Sequence, residues 1–437
     1  MKLEDFLNTD LRDFASYSNI RMIASYADGL KNGSRKIIYT ILEKNIKDPL
    51  KVSQLASKVS EFSEYLHGET SLCGSIVTLA QNYVGANNLP LLTPKGNFGT
   101  RHKPCAAASR YIFTCGSDTL FRLFNSTDSL LVQPQEFEGH KIEPKFYIPN
   151  LPLILINGSD GIAEGFRQFI LPRKPEDIVK AIKRLLKDEN ADVSDLLTPF
   201  YKGFTGQITK DEGRWKVQGK IYRSDRTHID ICELPIGYDW LTYRNTLDKL
   251  QDTKVIQSYK DMSDTKSDTF RFKVSMSAQE LDRLSAGQIL DKLKLTKYYT
   301  ENFVCINENN SIQVFKSASD ILKAWLKLKL AYNALRKEYQ LRQLGDDMTV
   351  YQAKAAFIKA VIKGFKLHRP KREVEDDLKQ LNLPRHPDYD YLLNMPLASL
   401  TAEKVQELQR KTDACTTAIN KLKTLSVKDM LVADMEI

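Results

Sequence analysis

An arginine directly before a tyrosine, Arg110 and Tyr111, is the pair in this sequence with the clearest chemical potential. The small residues of CAAAS, 105–109, precede the pair and would let a nucleic-acid backbone approach closely. A tyrosine can attack a phosphodiester and hold one broken end as an ester, although a pKa of about 10 means that it needs help. The adjacent arginine supplies positive charge where the attacked phosphate becomes more negative. The alternative is a core tyrosine with the arginine reaching to water.

Two further stretches carry residue types that suit phosphate chemistry. In YLHGE, His67 precedes the expected start of a helix, where it can donate to a phosphate oxygen or help to move the tyrosine proton. In DGLKNGSRK, Lys31, Arg35 and Lys36 cluster at a second helix start, where free N–H groups favour phosphates. A capping histidine and a solvated basic turn are the alternatives. Neither stretch identifies a function by itself.

The balance of charge favours a polyanionic partner, because the formal net charge is +9. Cations mix with glycine, asparagine or aromatic residues in three groupings, KNGSRK, KGNFGTRHK and FRQFILPRK. Such mixtures suit donors that approach phosphates better than a plain solvated lysine face does. We therefore predict that Lys36, Arg101 and Arg173, one from each grouping, bind DNA.

The composition argues against several other classes of protein. No apolar run approaches the roughly 18 residues of a membrane span, and the first residues lack the apolar core of a secretory signal. The six cysteines form no CxxC pair, which favours reduced thiols in a cytoplasmic compartment over a zinc ribbon or a disulfide framework. Histidines, cysteines and carboxylates show no metal-ligand spacing, so we expect no metal site on this chain.

Hydrophobic patterning divides the first three-quarters of the chain into three regions. Residues 1–27 read as a helical arm. Residues 28–144 combine short helices and turns, as in a helix-turn-helix DNA-binding module, with a loop before the tyrosine stretch and a helix opening at it. Residues 145–318 mix strands with helices, and Glu212-Gly213 is predicted to be a hairpin turn.

Residues 319–437 form a fourth, helical region with a heptad pattern. Apolar or small residues alternate at spacings of three and four along two stretches: Ile321, Trp325, Leu328, Tyr332, Leu335 and Tyr339, then Val405, Leu408, Thr412, Cys415, Ile419 and Leu422. The two stretches predict an antiparallel coiled coil with a small helical knob at its far end. An ordinary helical bundle is the alternative.

Five motifs follow one another along the sequence: DGLKNGSRKIIY, YLHGE, GNFGTR, AAASRYIFT and NGSDGIAEGF. Their order and approximate spacing resemble the DNA breakage–reunion subunit of type II topoisomerases. The resemblance extends over nearly the whole chain. HGE, RYIFT and the NMPLASLT run are closer to eukaryotic and T4-like phage members than to gyrase, and the chain is closest in character to the medium subunit of the T4-like enzymes.

The resemblance implies roles for four residues in catalysis. Tyr111 is similar to the family's nucleophile, and Arg110 matches the arginine that stabilises the transition state. His67 matches the second histidine of the family's HHGE motif, and Arg35 matches the arginine of its first motif. Leu66 replaces the first histidine, so one contact to DNA or to a proton is lost or supplied elsewhere.

The resemblance also implies DNA contacts and a fold. Lys31 matches a DNA-contacting lysine, and Ile170 falls where the family has an isoleucine that wedges between base pairs and bends the duplex. The expected fold is α+β and multidomain. It would comprise a winged-helix DNA-cleavage domain over 28–144, an α/β tower domain over 145–318, and an antiparallel coiled coil with a helical C-terminal dimerisation gate over 319–437.

Motifs that are missing imply a partner. The sequence has no GxxxxGK[ST] loop, no GHKL-type ATP site and no TOPRIM motif, and the DxD formed by Asp388 and Asp390 is expected in an exposed loop. The resemblance therefore implies that Mg²⁺ and ATP bind to a partner subunit carrying TOPRIM and ATPase domains. Double-stranded DNA and a second copy, joined through the gate, are the other expected partners. A cytoplasmic location is expected, in a bacterial host if a phage encodes the chain.

The expected activity is that of an ATP-dependent type II DNA topoisomerase. Each copy would cut one strand and form a 5′-phosphotyrosyl link, a second duplex would pass, and the break would reseal. Relaxation or decatenation without negative supercoiling is expected, because the sequence has no DNA-wrapping domain. The alternative is a non-catalytic DNA-binding scaffold that retains the fold.

Overall fold

The computed structural model describes residues 3–436, and these begin with an arm of almost continuous helix. Helix α1 covers Leu3–Phe6, a π-helical turn covers Leu7–Leu11, and α2 covers Arg12–Met22. Residues 1 and 2 of the predicted arm lie outside the described range. Most side chains of the arm are exposed, so it lies on the surface of the chain rather than in its core.

A winged helix, a form of the predicted helix-turn-helix module, follows the arm. Its elements are α3 Asn32–Glu43, β1 Leu50–Lys51, α4 Val52–Ser63, α5 Glu69–Ala80, β2 Leu92–Lys95 and β3 Phe113–Gly116. The strands form an antiparallel sheet in the order β1-β3-β2, and residues 96–112 form the wing. Helix α3 packs inward because Ile37, Ile38 and Ile41 lie on one face and are buried.

The structure corrects two local predictions in this region. The tyrosine stretch opens no helix, because Tyr111 ends a turn in which its N–H donates to the carbonyl of Ala108 at 2.9 Å. Strand β3 follows almost at once, and the β-branched and aromatic residues of IFTC suit its central place in the sheet. The loop predicted before the tyrosine contains β2, which forms by pairing with β3.

Short elements lead out of the winged helix. They are α6 Asp118–Leu123, α7 Ser126–Leu131, β4 Pro134–Phe137, β5 His140–Pro144, α8 Leu153–Ile156, β6 Ser159–Ala163, β7 Phe166–Ile170, α9 Pro175–Lys187 and a 3₁₀ turn Ser194–Leu196. Strands β6 and β7 form a hairpin that packs against the arm. A Cβ atom at Gly161 would lie 2.2 Å from the carbonyl oxygen of Met22, so only glycine allows this close approach.

Two larger sheets form the α/β region. Strands β8 Gln207–Asp211, β9 Arg214–Gln218 and β14 Thr296–Tyr299 pair in the order β14-β9-β8. Strands β10 Lys220–Arg223, β11 His228–Glu233, β12 Ser258–Asp261 and β13 Phe272–Ser275 pair in the order β10-β11-β13-β12. The predicted turn at Glu212-Gly213 is confirmed, with φ of 46° and 80° as a type I′ hairpin requires.

Helices cover the second of these sheets and complete the region. They are α10 Trp240–Asp252, α11 Ala278–Arg283 and α12 Ala286–Lys292, and a final hairpin joins β15 Val304–Ile306 to β16 Ile312–Val314. Tyr243, Phe272 and Leu293 are fully buried in the shared core. Apolar alternation along β11 and β13 places one face of the sheet in this core.

The chain divides into two compact units, one reaching to Lys329 with the last described residues and one covering Leu330–Asp434. The elements that follow β16 are α13 Ala318–Ile362, α14 Lys371–Gln380, α15 Asp390–Leu393, a 3₁₀ turn Leu397–Ser399, α16 Ala402–Thr424 and α17 Val427–Asp434. None of the helices described within 3–436 is both long and apolar enough to cross a membrane.

Within the second unit, α13 and α16 run antiparallel, as the heptad pattern predicted. Lys337 donates to the carbonyl of Leu425 at 2.6 Å, and Thr416 contacts the sulfur of Met348 at 3.6 Å. Further along, Ile358 and Leu408 share a buried cluster. Where the pair ends, α14 and α15 form a small helical knob around Phe357, Val374, Leu378 and Leu392.

A substitution at Gly29 tests the close approach of the first motif to α8. Gly29 has φ of 68°, and a Cβ atom there would lie 2.4 Å from the backbone nitrogen of Ile154. We expect Gly29→Ala to lower the free energy of unfolding by about 2–4 kcal/mol. Gly74→Ala is the control, because a Cβ atom on that α5 glycine meets nothing within 4 Å and alanine favours helix. Thermal unfolding that ranks the two variants equally would contradict this packing.

Candidate functional site

Tyr111 stands exposed at the foot of the wing, with 69% of its surface accessible. The guanidinium carbon of Arg110 lies 5.3 Å from the centre of the tyrosine ring, and Arg110 is itself exposed. The next residue, Ile112, is buried, which anchors the start of β3 and leaves the phenol pointing outward. The structure therefore excludes the alternative of a core tyrosine and places Tyr111 and Arg110 together at the surface.

The wing is folded tightly above this tyrosine. Gly99 has φ of 91°, and a Cβ atom there would lie 2.4 Å from the carbonyl oxygen of Pro104, so the loop closes on itself only at glycine. The amide of Gln81, at the end of α5, donates to the carbonyls of Phe98 and Pro104 at 2.9 and 3.1 Å. These bonds tie both sides of the wing to the helix that ends beside it.

His67 lies just before the start of α5, as the sequence predicted. Its Nε2 atom is 2.6 Å from the hydroxyl oxygen of Tyr17 on α2, and the ring of Tyr65 meets it edge-on at 5.4 Å. Partial burial lowers the pKa of His67, and the positive charges of Arg21 and Lys36 lower it further. The imidazole is therefore neutral at pH 7 and contacts two tyrosines, neither of which is Tyr111.

Arg35 lies in a buried ion pair. Its guanidinium donates to both carboxylate oxygens of Asp28, at 2.7 and 3.1 Å, and to the carbonyl of Leu30 at 3.0 Å. Asp28 also accepts the N–H groups of Leu30 and Tyr147. The structure therefore buries Arg35 within the first motif, where its bonds to Asp28 and Leu30 hold the loop in shape.

Three cations predicted to bind DNA are buried too, which does not favour a direct contact with DNA. Lys36 donates to the carboxylate of Glu143 at 2.8 Å and also to the carbonyl of Ser63. Arg173 donates to the carboxylate of Glu301 at 2.8 Å. Both side chains are enclosed, so neither reaches a phosphate without loss of its partner.

Arg101, the third of these cations, joins the wing to the α/β region. Its guanidinium pairs with the buried carboxylate of Glu233 and lies 5.0 Å from the ring of Phe270. The backbone N–H of Arg101 donates to Asp268 at 3.0 Å, and His102 bonds the same carboxylate through Nδ1 at 2.8 Å. The tip of the wing is therefore pinned by carboxylates more than a hundred residues away, which local sequence does not reveal.

Ile170 is also buried, which does not favour the predicted role of wedging between base pairs. It ends β7 with 2% exposure, whereas Ile162 on β6 of the same hairpin is 68% exposed. Insertion into a base step requires an exposed apolar side chain, such as that of Ile162. The sequence signal was available, because Ile162 lies in the NGSDGIAEGF motif itself and its strand alternates inward and outward residues.

Lys31 lies beside the same hairpin and lines a cleft. Its ammonium group donates to the carbonyl of Asp160 at 2.6 Å, and burial lowers the pKa of the lysine against the effect of the Asp160 carboxylate. A cleft of about 620 Å³ opens here, and Ser71, Ser75 and Thr78 of α5 supply small hydroxyl groups to its wall. The Ser75 and Thr78 hydroxyls donate to the carbonyls of Ser71 and Gly74, so Lys31 supplies the cleft with a donor beside a wall of small side chains.

No group of three or more histidines, cysteines or carboxylates within residues 3–436 is arranged to hold a metal ion. The acidic pair Asp388 and Asp390 belongs to no such group, and the carboxylate of Asp390 accepts a hydrogen bond from Lys371 at 2.7 Å. The residues described in 3–436 thus show no side-chain cluster that would hold the Mg²⁺ that the resemblance assigns to a partner subunit.

Removing Arg101 and removing Arg110, which both lie in the wing, should change the free energy of unfolding by very different amounts. Arg101→Ala leaves the Glu233 carboxylate buried without its cation, so we expect the free energy of unfolding to fall by about 3–5 kcal/mol. Arg110→Ala removes an exposed side chain, and stability should change by about 0.5 kcal/mol or less. Thermal and urea unfolding measure both changes, and equal losses would contradict the buried pairing of Arg101.

Comparison with known proteins finds relatives that are named DNA topoisomerases. DNA topoisomerase 2-beta of Homo sapiens is 34% identical over 480 residues, covering 99% of this chain and 29% of the human protein. The mitochondrial DNA topoisomerase 2 of Dictyostelium discoideum is 32% identical and is covered over 34% of its length. The chain thus spans about a third of these relatives.

A solved structure and a family model agree with these relatives. The DNA-binding, cleavage and re-ligation domain of Plasmodium falciparum topoisomerase II superposes with a TM-score of 0.89 at 30% identity, covering 99% of this chain and 63% of that one. The model for the A subunits of DNA gyrase and topoisomerase IV matches residues 21–436. The chain therefore belongs to the type II topoisomerase family, as a breakage–reunion region of the kind found in DNA gyrase and topoisomerase IV.

Proposed function

We propose that this chain cuts and rejoins duplex DNA through Tyr111, as the breakage–reunion part of an ATP-dependent type II topoisomerase. The observation that carries the proposal is an exposed tyrosine with an arginine against its ring, on a wing of a DNA-binding fold. The cleaving relatives and the re-ligation domain of similar structure support the same reaction class.

The reaction is a transesterification at phosphorus. The phenolic oxygen of Tyr111 loses its proton to a base and forms a bond to phosphorus, while the bond from phosphorus to the 3′ oxygen breaks and that oxygen takes up a proton. The strand then carries a 5′-phosphotyrosyl end, and the reverse step reseals it. Arg110 supplies positive charge beside the phosphate as negative charge builds on its oxygens.

His67 and the first motif support this step from neighbouring elements. A neutral imidazole retains one N–H that can donate to a non-bridging phosphate oxygen. Arg35 acts indirectly, by holding the loop that carries Lys31 through its pair with Asp28. Lys31 and the hydroxyls of α5 receive the backbone of the duplex in the cleft beside them.

A partner is needed to complete the enzyme. Type II topoisomerases use Mg²⁺ and ATP. Residues 3–436 show no cluster of side chains that would hold a metal ion, and the sequence has no GxxxxGK[ST] loop for binding a nucleotide. We infer that a TOPRIM and ATPase polypeptide binds both. A second copy is also required, because one tyrosine cuts one strand, and the helical knob beyond the α13–α16 pair is the proposed dimerisation gate.

Covalent trapping tests the nucleophile. The chain is mixed with its TOPRIM/ATPase partner, Mg²⁺ and end-labelled duplex, and the reaction is stopped with detergent. We expect label on the wild-type chain with a four-base stagger between cuts, and none on Tyr111→Phe. Tyr222→Phe is the matched control, because Tyr222 is also exposed but lies in the α/β region. DNA binding without any adduct would instead indicate a scaffold that keeps the fold.

Duplex bending tests the corrected wedge. Ile162→Ala removes the exposed apolar side chain at the hairpin, so we expect a smaller bend and roughly tenfold or more weaker binding. Ile170→Ala should instead lower the free energy of unfolding by about 2–5 kcal/mol, because that side chain is in the core. Energy transfer between dyes at the duplex ends reports the bend. An unchanged bend with Ile162→Ala would contradict this assignment.

A further inference from the structure

Tyr17 brings a second tyrosine into the candidate site from the arm. Its hydroxyl oxygen lies 2.6 Å from Nε2 of His67, fifty residues further along the chain. We propose that Tyr17 is a positioning residue for His67: it holds the imidazole in the form protonated at Nδ1 and leaves that N–H to donate to the scissile phosphate. This inference rests on the role proposed for His67 in DNA cleavage.

The histidine ring is fixed from two directions. Tyr17 holds one edge through its hydroxyl, with the ring centres 6.2 Å apart and the planes inclined at 46°. Tyr65 meets the ring at 5.4 Å with an interplanar angle of 78°. The preceding residue, Leu66, is 70% exposed and does not enclose the ring. Tyr17 therefore supplies the directional contact that sets which nitrogen of His67 is engaged.

The direction of the hydrogen bond follows from charge. Neutral imidazole has one donor and one acceptor nitrogen, and a phenol hydroxyl is a better donor than acceptor. The charged groups around His67 are Arg21 on α2 and Lys36 on α3, and both disfavour a second proton on the ring. Tyr17 then donates to Nε2, and the ring proton resides on Nδ1.

The arm also links His67 to the hairpin that carries Ile162. Ser18, next to Tyr17, accepts the backbone N–H of Glu164 at the hairpin turn at 3.4 Å. Met22, one turn further on α2, is the residue against which Gly161 packs. A single helix thus contacts both the histidine and the wedge hairpin, so the position of Tyr17 is tied to an element that DNA engages.

Nitrogen NMR of the histidine side chains tests the tautomer without any cleavage. The full chain is labelled at its six histidines, and His67→Gln identifies the His67 signals. At pH 7 we expect the Nδ1–H form in the wild type. In Tyr17→Phe the Nε2–H form that free imidazole side chains favour should appear. Tyr65→Phe is the matched control, since it removes a hydroxyl beside the same ring and should leave the tautomer unchanged.

Cleavage kinetics test the consequence. With partner, Mg²⁺ and duplex, we expect Tyr17→Phe to slow single-turnover cleavage roughly three- to tenfold with an unchanged Kd for DNA. An unchanged tautomer or an unchanged cleavage rate overturns the proposal, and faster cleavage overturns it too, because Tyr17 would then block His67. Failure of the nucleophile assignment is distinguishable, since it shows in Tyr111→Phe and leaves the NMR result intact.

Discussion

Buried ion pairs hold the candidate site in its shape, and most of them join distant parts of the chain. Four such pairs are Arg35 with Asp28, Lys36 with Glu143, Arg101 with Glu233 and Arg173 with Glu301. Removing either partner would leave a buried charge in a medium that solvates it poorly. Each charged group therefore stays buried only while its ion-pair and hydrogen-bond partners remain in place. The first motif, the wing and the hairpin region are each tied to the body of the fold by one of these pairs.

Because these buried ion pairs hold the backbone in place, only a few exposed side chains are needed at the candidate site. Tyr111, Arg110 and Ile162 are exposed; Tyr111 adjoins the buried Ile112, and Ile162 adjoins the buried Gly161. An exposed tyrosine and an exposed isoleucine contribute little to folding, yet each suits a task on DNA. The buried cations stabilise the shape of the fold, whereas the exposed side chains remain accessible to a ligand. The positively charged residues near the site therefore fall into two groups: buried cations that stabilise the fold, and the exposed Arg110.

The arm belongs to the site as much as the winged helix does. Its helix lies on the surface, and its contacts converge on His67 and on the β6–β7 hairpin. Glycine at position 161 permits the hairpin to approach the arm backbone, which a side chain would prevent. His67 and the β6–β7 hairpin thus both contact the arm, although the three come from separate parts of the sequence.

The family and much of the fold followed from the sequence alone. The ordered motifs identified the family, the tyrosine and its arginine, and the alternation of apolar residues gave the antiparallel helix pair and the hairpin at Glu212-Gly213. These features are local, because they depend on residue type, on short spacings and on turn geometry. A strand replaced the helix expected after Tyr111, since pairing with two neighbours decided that segment.

Tertiary structure alone decided which cations and which isoleucine are exposed. Lys36, Arg101 and Arg173 read as DNA-binding in their local context, but each meets a carboxylate more than a hundred residues away. Ile162 and Ile170 share a hairpin and differ only in the face that packing buries. Burial and long-range pairing are properties of the assembled chain, so residue type and local spacing determine what a side chain can do, and packing determines whether it is free to do it.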